Sequence, residues 1–215
     1  MDGAGGVLLA ALAGYLAGSF PTAVLVTRFA TRGALDIRAA GSGNPGGFNT
    51  IRSVGRAWGV LVIVVDMAKG ALGALAGWAI AGPDGADAAA AATLAGHVFP
   101  VWSRFRGGKG IATSGGAVLA VFPAFFPLEV VVAAVVTLRT RRTLRTAQVG
   151  GVLWIAAALV WWRAGVTNWW GPEPTAGLVV FAVLGTAVVW TGFALGARPE
   201  PVTPRRARRG AARPR

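Results

Sequence analysis

Residues 111–138 read IATSGGAVLAVFPAFFPLEVVVAAVVTL, and the reading of this run decides how the chain crosses a bilayer. A helix needs about 20 apolar residues to span the hydrocarbon core, so the run has the length of one long tilted helix. Pro123 and Pro127 bracket a Phe-Phe pair in its middle, and proline breaks or kinks a helix. Arg139, Arg141, Arg142 and Arg145 follow, and loops rich in lysine and arginine stay cytoplasmic. A single helix would carry these arginines outside. Two helices joined near 123–127 return them to the cytoplasm. The first of the pair, about 111–122, is too short to span fully at about 1.5 Å per residue. It is therefore either a short, deeply set helix or a re-entrant one.

Working outward, further apolar runs occupy 7–30, 57–82, 147–162 and 175–197, with a weaker alanine-rich run at 86–101. Of the 215 residues 54% are hydrophobic and only 13% charged, where a soluble domain carries about a quarter charged. Most of the surface must then meet lipid. Lipid offers the backbone no hydrogen-bond partner, so runs of this length must be helices. The period-2 alternation of a barrel is absent. The expectation is an all-α polytopic membrane protein of about seven transmembrane helices, one pair short and hairpin-like. No lysine or arginine precedes the first run; a cleaved signal needs a basic start, so 7–30 is expected to be a retained helix.

The net charge of +13 is distributed unevenly. Arg28, Arg32, Arg38, Arg52 and Arg56 flank the first long loop, and Arg104, Arg106 and Lys109 lie in the second. Arg139 to Arg145 lie in the third, while Asp84, Asp87 and Glu173 fall between, with Arg163 the one cationic exception. This places the N-terminus outside and the C-terminus in the cytoplasm, and argues against nucleic acid as the partner. Residues 1–197 are read as one transmembrane domain. Residues 198–215, with seven arginines among Pro201, Pro204 and Pro214, are read as a basic disordered tail. Such a segment favours an anionic membrane surface. There are no cysteines, which excludes disulfides, thiolate metal sites and a cysteine nucleophile.

Two loops carry the chemistry. The first includes Arg38 and runs through Gly41, Ser42, Gly43, Asn44, Pro45, Gly46, Gly47, Phe48 and Asn49 to Arg52. Its glycines let the backbone approach a ligand closely, and successive N–H groups in such turns make concave anion sites. Ser42 and Asn44 add neutral donors; Arg38 and Arg52 can fork onto a phosphate. A flexible polar turn between two helices accounts for the same composition. In the second loop Gly107-Gly108-Lys109-Gly110 leads to a helix start near Thr113, setting N–H groups and an ammonium where an anion would dock. It is no P-loop, since the required spacing and preceding strand are missing. His97 is the only histidine, and both a structural and a catalytic reading are open to it. Asp66 and Lys69 share a helix face; ionisable groups at that depth pair and face inward. A structural ion pair and a substrate contact fit them equally. Trp161, Trp162, Trp169 and Trp170 read as an interfacial belt.

These stretches together resemble the bacterial acyl-phosphate:glycerol-3-phosphate acyltransferases, the PlsY type. Family members carry Gly-Ser-Phe/Ile-Pro-Thr, here Gly18 to Thr22, and Asp-x-x-Lys-Gly, here Asp66 to Gly70. Their first loop is similar to Gly-Ser-Gly-Asn-x-Gly-Ala-Thr-Asn-x-x-Arg, matched by Gly41 to Arg52 with Phe48 in place of the threonine. Their second, Gly-His-x-x-Pro-x-x-x-x-Phe-x-Gly-Gly-Lys-Gly-x-Ala-Thr, is matched by Gly96 to Thr113. The C-terminal half departs from the pattern. The family's His-Arg-x-Asn-Ile-x-Arg-Leu segment falls at Trp190 to Arg198, which contains neither histidine nor asparagine, and a Ser-Leu-x-Ser element corresponds only loosely to Thr143-Leu144-Arg145-Thr146.

The resemblance implies transfer of a fatty acyl group from acyl phosphate to the glycerol 3-phosphate 1-hydroxyl at the cytoplasmic face of a bacterial inner membrane. It implies neither metal nor organic cofactor, and no covalent acyl-enzyme. An acyl phosphate already has a good leaving group, so orientation and preorganised charge suffice, with the acceptor's phosphate serving as base. Ser42, Arg52, Lys109 and His97 are the expected catalytic residues. Gly41, Gly43, Asn44, Gly46, Asn49, Arg38, Asp66, Lys69, Gly107, Gly108, Gly110, Thr113, Thr143 and Thr146 are the expected substrate contacts. A lipid-phosphate-binding relative without catalysis and a transporter of an anionic metabolite are the competing classes.

Overall fold

The computed structural model describes residues 3–196, which form eight α-helices and no strand. The expected basic tail, Arg198 included, lies outside the described residues. Helices α1 (Ala4–Gly18) and α2 (Thr22–Ala30) form one apolar span of 27 residues. A short α3 (Gly47–Ser53) lies within the first loop and leads into α4 (Arg56–Val98). A 3-10 turn at Val101–Ser103 precedes α5 (Ile111–Val121) and α6 (Phe126–Thr140). Helices α7 (Thr143–Ala164) and α8 (Ala176–Leu195) complete the bundle.

Helix α4 is two antiparallel limbs. Ala81 and Gly82 leave helical geometry, Gly82 with φ +64°, and Pro83 begins the second limb. Across this turn Gly77 sits against Gly85, and further along Gly73 sits against Thr93. Small residues at crossings, rather than large interlocking ones, let membrane helices approach. The same device seats α1 on the second limb, where Gly14 and Gly18 face the Ala89 and Thr93 backbone. It also seats α5 on the first limb, where Gly70 faces Thr113 and Gly116 faces Met67. The buried side chains of Phe122, Phe181 and Leu178 fill the core between α5, α7 and α8 together with Trp154, whose indole stands edge-on to Phe181.

The run 111–138 is a helix pair. Helix α5 ends at Val121, and Phe122 to Phe125 connect it to α6. Pro127 lies inside the first turn of α6, where its missing N–H removes no intrahelical bond. The break is therefore the work of Pro123, not of both prolines. With α1–α2 as one pass and α4 as two, the arrangement accommodates about seven. The run 7–30, read as one retained helix, is interrupted: α1 ends at Gly18 and α2 begins at Thr22. A proline within an apolar run removes an N–H and fixes φ, and this break forms one wall of the site.

Candidate active site

The break in the first span turns the carbonyl of Phe20 inward. Thr22 N donates to it at 2.9 Å, and so does Lys69 Nζ at 3.1 Å from α4. Lys69 Nζ also lies 2.9 Å from Asp66 Oδ1, one helical turn away, in an orientation poor for a hydrogen bond, so their attraction is that of an ion pair. Both side chains are buried. Burying two ions costs several kcal/mol each unless further polar groups compensate. The Phe20 carbonyl is one such group. His97, at the end of α4, is another: its Nδ1 lies 3.7 Å from Asp66 Oδ1 and 3.0 Å from Thr113 Oγ1 on α5. One buried polar cluster thus joins the α1–α2 break, both limbs of α4 and the start of α5.

The second loop closes over this cluster. Gly107 N donates to Val98 O at 3.0 Å and Gly108 N to His97 O at 3.2 Å. These N–H groups are engaged by the end of α4, so the Gly-Gly pair holds the loop down and does not present free donors to an anion. A Cβ at Gly108 would run into His97 Nε2 and the Pro45 carbonyl. Pro45 and Gly108 are therefore where the two loops meet. Gly110 takes φ +81° to start α5, a conformation that glycine adopts without strain. Lys109 turns toward α8, with Nζ 4.5 Å from the Phe193 ring centroid. Burial pushes its ammonium below the ordinary lysine pKa.

In the first loop Asn49 is the organising residue. Its Nδ2 donates to the carbonyls of Ala40 (2.9 Å), Asn44 (3.0 Å) and Ile37 (3.2 Å), and its Oδ1 accepts from Ser42 N at 3.0 Å. That amide is committed to the loop's own backbone. Arg38 forks onto Asp36 at 3.0 and 3.1 Å, which holds the Asp36 carboxyl below its usual range and raises Arg38. Its fork is not free for phosphate. Gly41 and Gly43 take positive φ, and Gly46 packs beside the Asn44 amide. Ser42 and Arg52 are exposed and Asn44 partly so.

Between these elements lies a narrow cleft of about 20 Å³, open to solvent. Of the expected residues it gathers Asp66, Lys69, His97, Gly107 and Gly108 on its walls. Ser42, Asn44, Arg52 and Lys109 do not line it, although Pro45 brings the first loop to its rim. Thr143 and Thr146 are also apart from it; Thr146 Oγ1 lies 2.8 Å from Thr137 Oγ1 between α7 and α6. The cleft adds residues that sequence reasoning does not single out as contacts: Phe20, Pro21, Thr22, Ser103 and Arg106. For the first three the signal is present, as a polar Pro-containing motif inside an apolar run. No three His, Asp or Glu side chains gather as a metal site among the described residues. The walls carry cations and helix ends but no cysteine or other activated nucleophile, which suits binding and orienting an anionic, already activated substrate.

A family model described as "Glycerol-3-phosphate acyltransferase" matches residues 8–194. The chain is 41% identical over 129 residues to a glycerol-3-phosphate acyltransferase of Exiguobacterium sibiricum, covering 60% of this chain and 61% of the relative. To that of Geobacillus kaustophilus it is 40% identical over 143 residues, covering 66% and 71%. The chain thus spans about six-tenths of the length of the first of these. Two solved structures of PlsY (YgiH), an integral membrane glycerol 3-phosphate acyltransferase, are similar at 28% identity. Its glycerol 3-phosphate form superposes with a TM-score of 0.71 over 88% of each chain. Its lysophosphatidic acid form gives 0.70 over 86% of this chain and 87% of that one.

Proposed function

The chain belongs to the glycerol-3-phosphate acyltransferase family, and on that premise we propose that it moves a fatty acyl group from acyl phosphate to the 1-hydroxyl of glycerol 3-phosphate. The observation that carries this reading is the cleft at which four separated stretches meet: the Phe20–Pro21 break, Pro45, Asp66 with Lys69, and the His97 to Gly108 segment.

The acceptor hydroxyl oxygen attacks the acyl carbonyl carbon, and the bond from that carbon to the phosphate oxygen breaks. The hydroxyl proton passes to a phosphate oxygen, and lysophosphatidate and inorganic phosphate leave. The protein's part is to hold both phosphates and exclude competing geometry. Lys69 has three N–H donors; one is directed at Phe20 O, and another is assigned to the donor phosphate beside the ion pair with Asp66. Arg106 at the rim adds charge. Ser42, Asn44, Arg52 and Lys109 on the surrounding loops are assigned to the acceptor side. His97 positions the cluster by joining Thr113, Asp66 and Gly108. The acyl chain is assigned to the open apolar groove between α1, the second limb of α4 and α8. That groove follows α4 from Asp84 to Ala95, about 16 Å at the helical rise, and stops half a turn before His97.

The cationic loops support a site at the cytoplasmic face of a bacterial inner membrane. A transporter reading has less support, because Lys69 is engaged by the Asp66 carboxylate and by Phe20 O. Purified protein given palmitoyl phosphate and glycerol 3-phosphate should release phosphate and form lysophosphatidate, while acyl-CoA should not serve. Turnover indifferent to glycerol 3-phosphate would remove the acceptor assignment. No turnover of acyl phosphate would make the chain a binding relative without catalysis.

A further inference from the structure

The motif Gly18 to Thr22 has so far contributed only the Phe20 carbonyl, yet Pro21, Thr22, Ala23 and Val24 all face the cleft. Pro21 is the N-cap of α2 and supplies no side-chain cap. The N–H groups of Ala23 and Val24 lie in the first turn, which has no intrahelical acceptor for them. They sit at the positive end of the helix dipole, which favours an anion. A second, independent observation concerns Thr22 itself. It is 1% exposed, and its Oγ1 has no hydrogen-bond partner among the described residues. A buried hydroxyl left unpaired is destabilising, and a valine of the same shape would be the better choice if packing were its only task. The charges around it do not repel an anion, since Asp66 is paired with Lys69 and Arg106 stands at the rim.

We propose that the first turn of α2 is an oxyanion subsite in which Thr22 Oγ1 donates a hydrogen bond to a phosphoryl oxygen of the acyl donor. This deepens the acyl-phosphate reading of the cleft and rests on it. The Ala23 and Val24 N–H groups point to the same oxygen-rich group from the helix end, opposite Lys69. The Pro21 break thus both turns Phe20 O toward Lys69 and aims a helix start at the substrate.

The test compares Thr22→Val, Thr22→Ser and Thr22→Ala in the purified full chain. Three quantities are read: kcat and KM for palmitoyl phosphate, thermal unfolding in detergent, and affinity for inorganic phosphate by titration calorimetry. Thr22→Val should unfold no earlier than the unmutated protein, yet lose about tenfold to a hundredfold in kcat/KM, the scale of one hydrogen bond to a charged group. Phosphate affinity should weaken in parallel, and Thr22→Ser should retain both. If the valine protein does not fold, serine against alanine isolates the same hydroxyl. Unchanged kcat/KM and phosphate affinity in Thr22→Val, or in Thr22→Ala relative to Thr22→Ser, would overturn the subsite. If no protein turns over acyl phosphate, the acyltransferase reading fails instead. Phosphate affinity then still decides the subsite: weakened in Thr22→Val it stands, equal it falls.

Discussion

The ammonium of Lys109 lies 4.5 Å from the centroid of the Phe193 ring, on the end of α8 where neither histidine nor asparagine occurs. A cation over an aromatic face gains about 0.5–2 kcal/mol, and burial at the same time disfavours the charged form. Burial lowers the Lys109 pKa from its ordinary 10.5. A depressed lysine loses its proton earlier as pH rises. For stability, this means that burying the charge opposes folding at low pH and that the penalty lifts as pH passes the folded-state pKa. For catalysis the sign is opposite, because the proposed phosphate contact needs the proton. The pH profile of kcat/KM, which reports the free enzyme, should show an alkaline limb below the ordinary lysine value of 10.5. Lys109→Arg should move that limb upward, since a guanidinium stays protonated, and Lys109→Ala should lower turnover by about two orders of magnitude. An alkaline limb unmoved by arginine would assign it to another group.

A second prediction separates structure from chemistry in the Asp66–Lys69 pair. Lys69→Met leaves a buried carboxylate unpaired, which destabilises by about 3–5 kcal/mol. Adding Asp66→Asn removes the stranded charge and should restore most of the unfolding temperature in detergent. Activity should stay lost in the double variant if Lys69 holds the donor phosphate. Recovery of activity together with stability would make the pair purely structural.

How much of this is legible in the sequence depends on the range of the interactions. The spans are, because length and hydropathy in lipid leave helix as the sole solution, and the pairing of Asp66 with Lys69 follows from their spacing on one helix face. The break at Pro21 is signalled by a proline inside an apolar run, but its consequence, a carbonyl presented to Lys69, is not, because that partner is distant in sequence. Asn49 reads as a ligand because an amide that organises a glycine loop and one that binds phosphate look alike in sequence. Arg38 misleads for a nearer reason: Asp36, two residues away, already satisfies its fork. The direction of Lys109 is set by α8, the least patterned part of the chain, and no motif in the second loop reveals it.

Orientation is tested by single cysteines, against a background without any. Ala39→Cys and Phe105→Cys change exposed positions in the two loops that meet at the cleft, and Asp84→Cys and Trp169→Cys change exposed positions at the opposite turns. A membrane-impermeant maleimide applied to intact cells should label 84 and 169 and spare 39 and 105 until the membrane is opened. Labelling of 39 and 105 from opposite sides would separate the two loops and end the single-site model. Labelling of both from outside would reverse the orientation read from the arginines.

The last prediction concerns Asn49, whose position in the first loop invites a direct contact with substrate and whose geometry argues for a different task. Its Nδ2 holds three carbonyls and its Oδ1 holds the Ser42 N–H. Asn49→Asp preserves size and the Ser42 bond but turns a donor into an acceptor facing three acceptors. A buried polar group left without its partner costs about 1–3 kcal/mol, and more when charged. The variant should therefore unfold at lower temperature and become sensitive to protease between Gly41 and Gly47, and kcat should fall as Ser42 and Asn44 lose their fixed geometry. Lowering the pH should partly restore it, because the introduced carboxyl regains one donor when it is protonated. A direct ligand would behave differently: unfolding and protease resistance would stay as before, and only the KM for glycerol 3-phosphate would rise. That second outcome would return Asn49 to the substrate and leave the order of the first loop to its glycines alone.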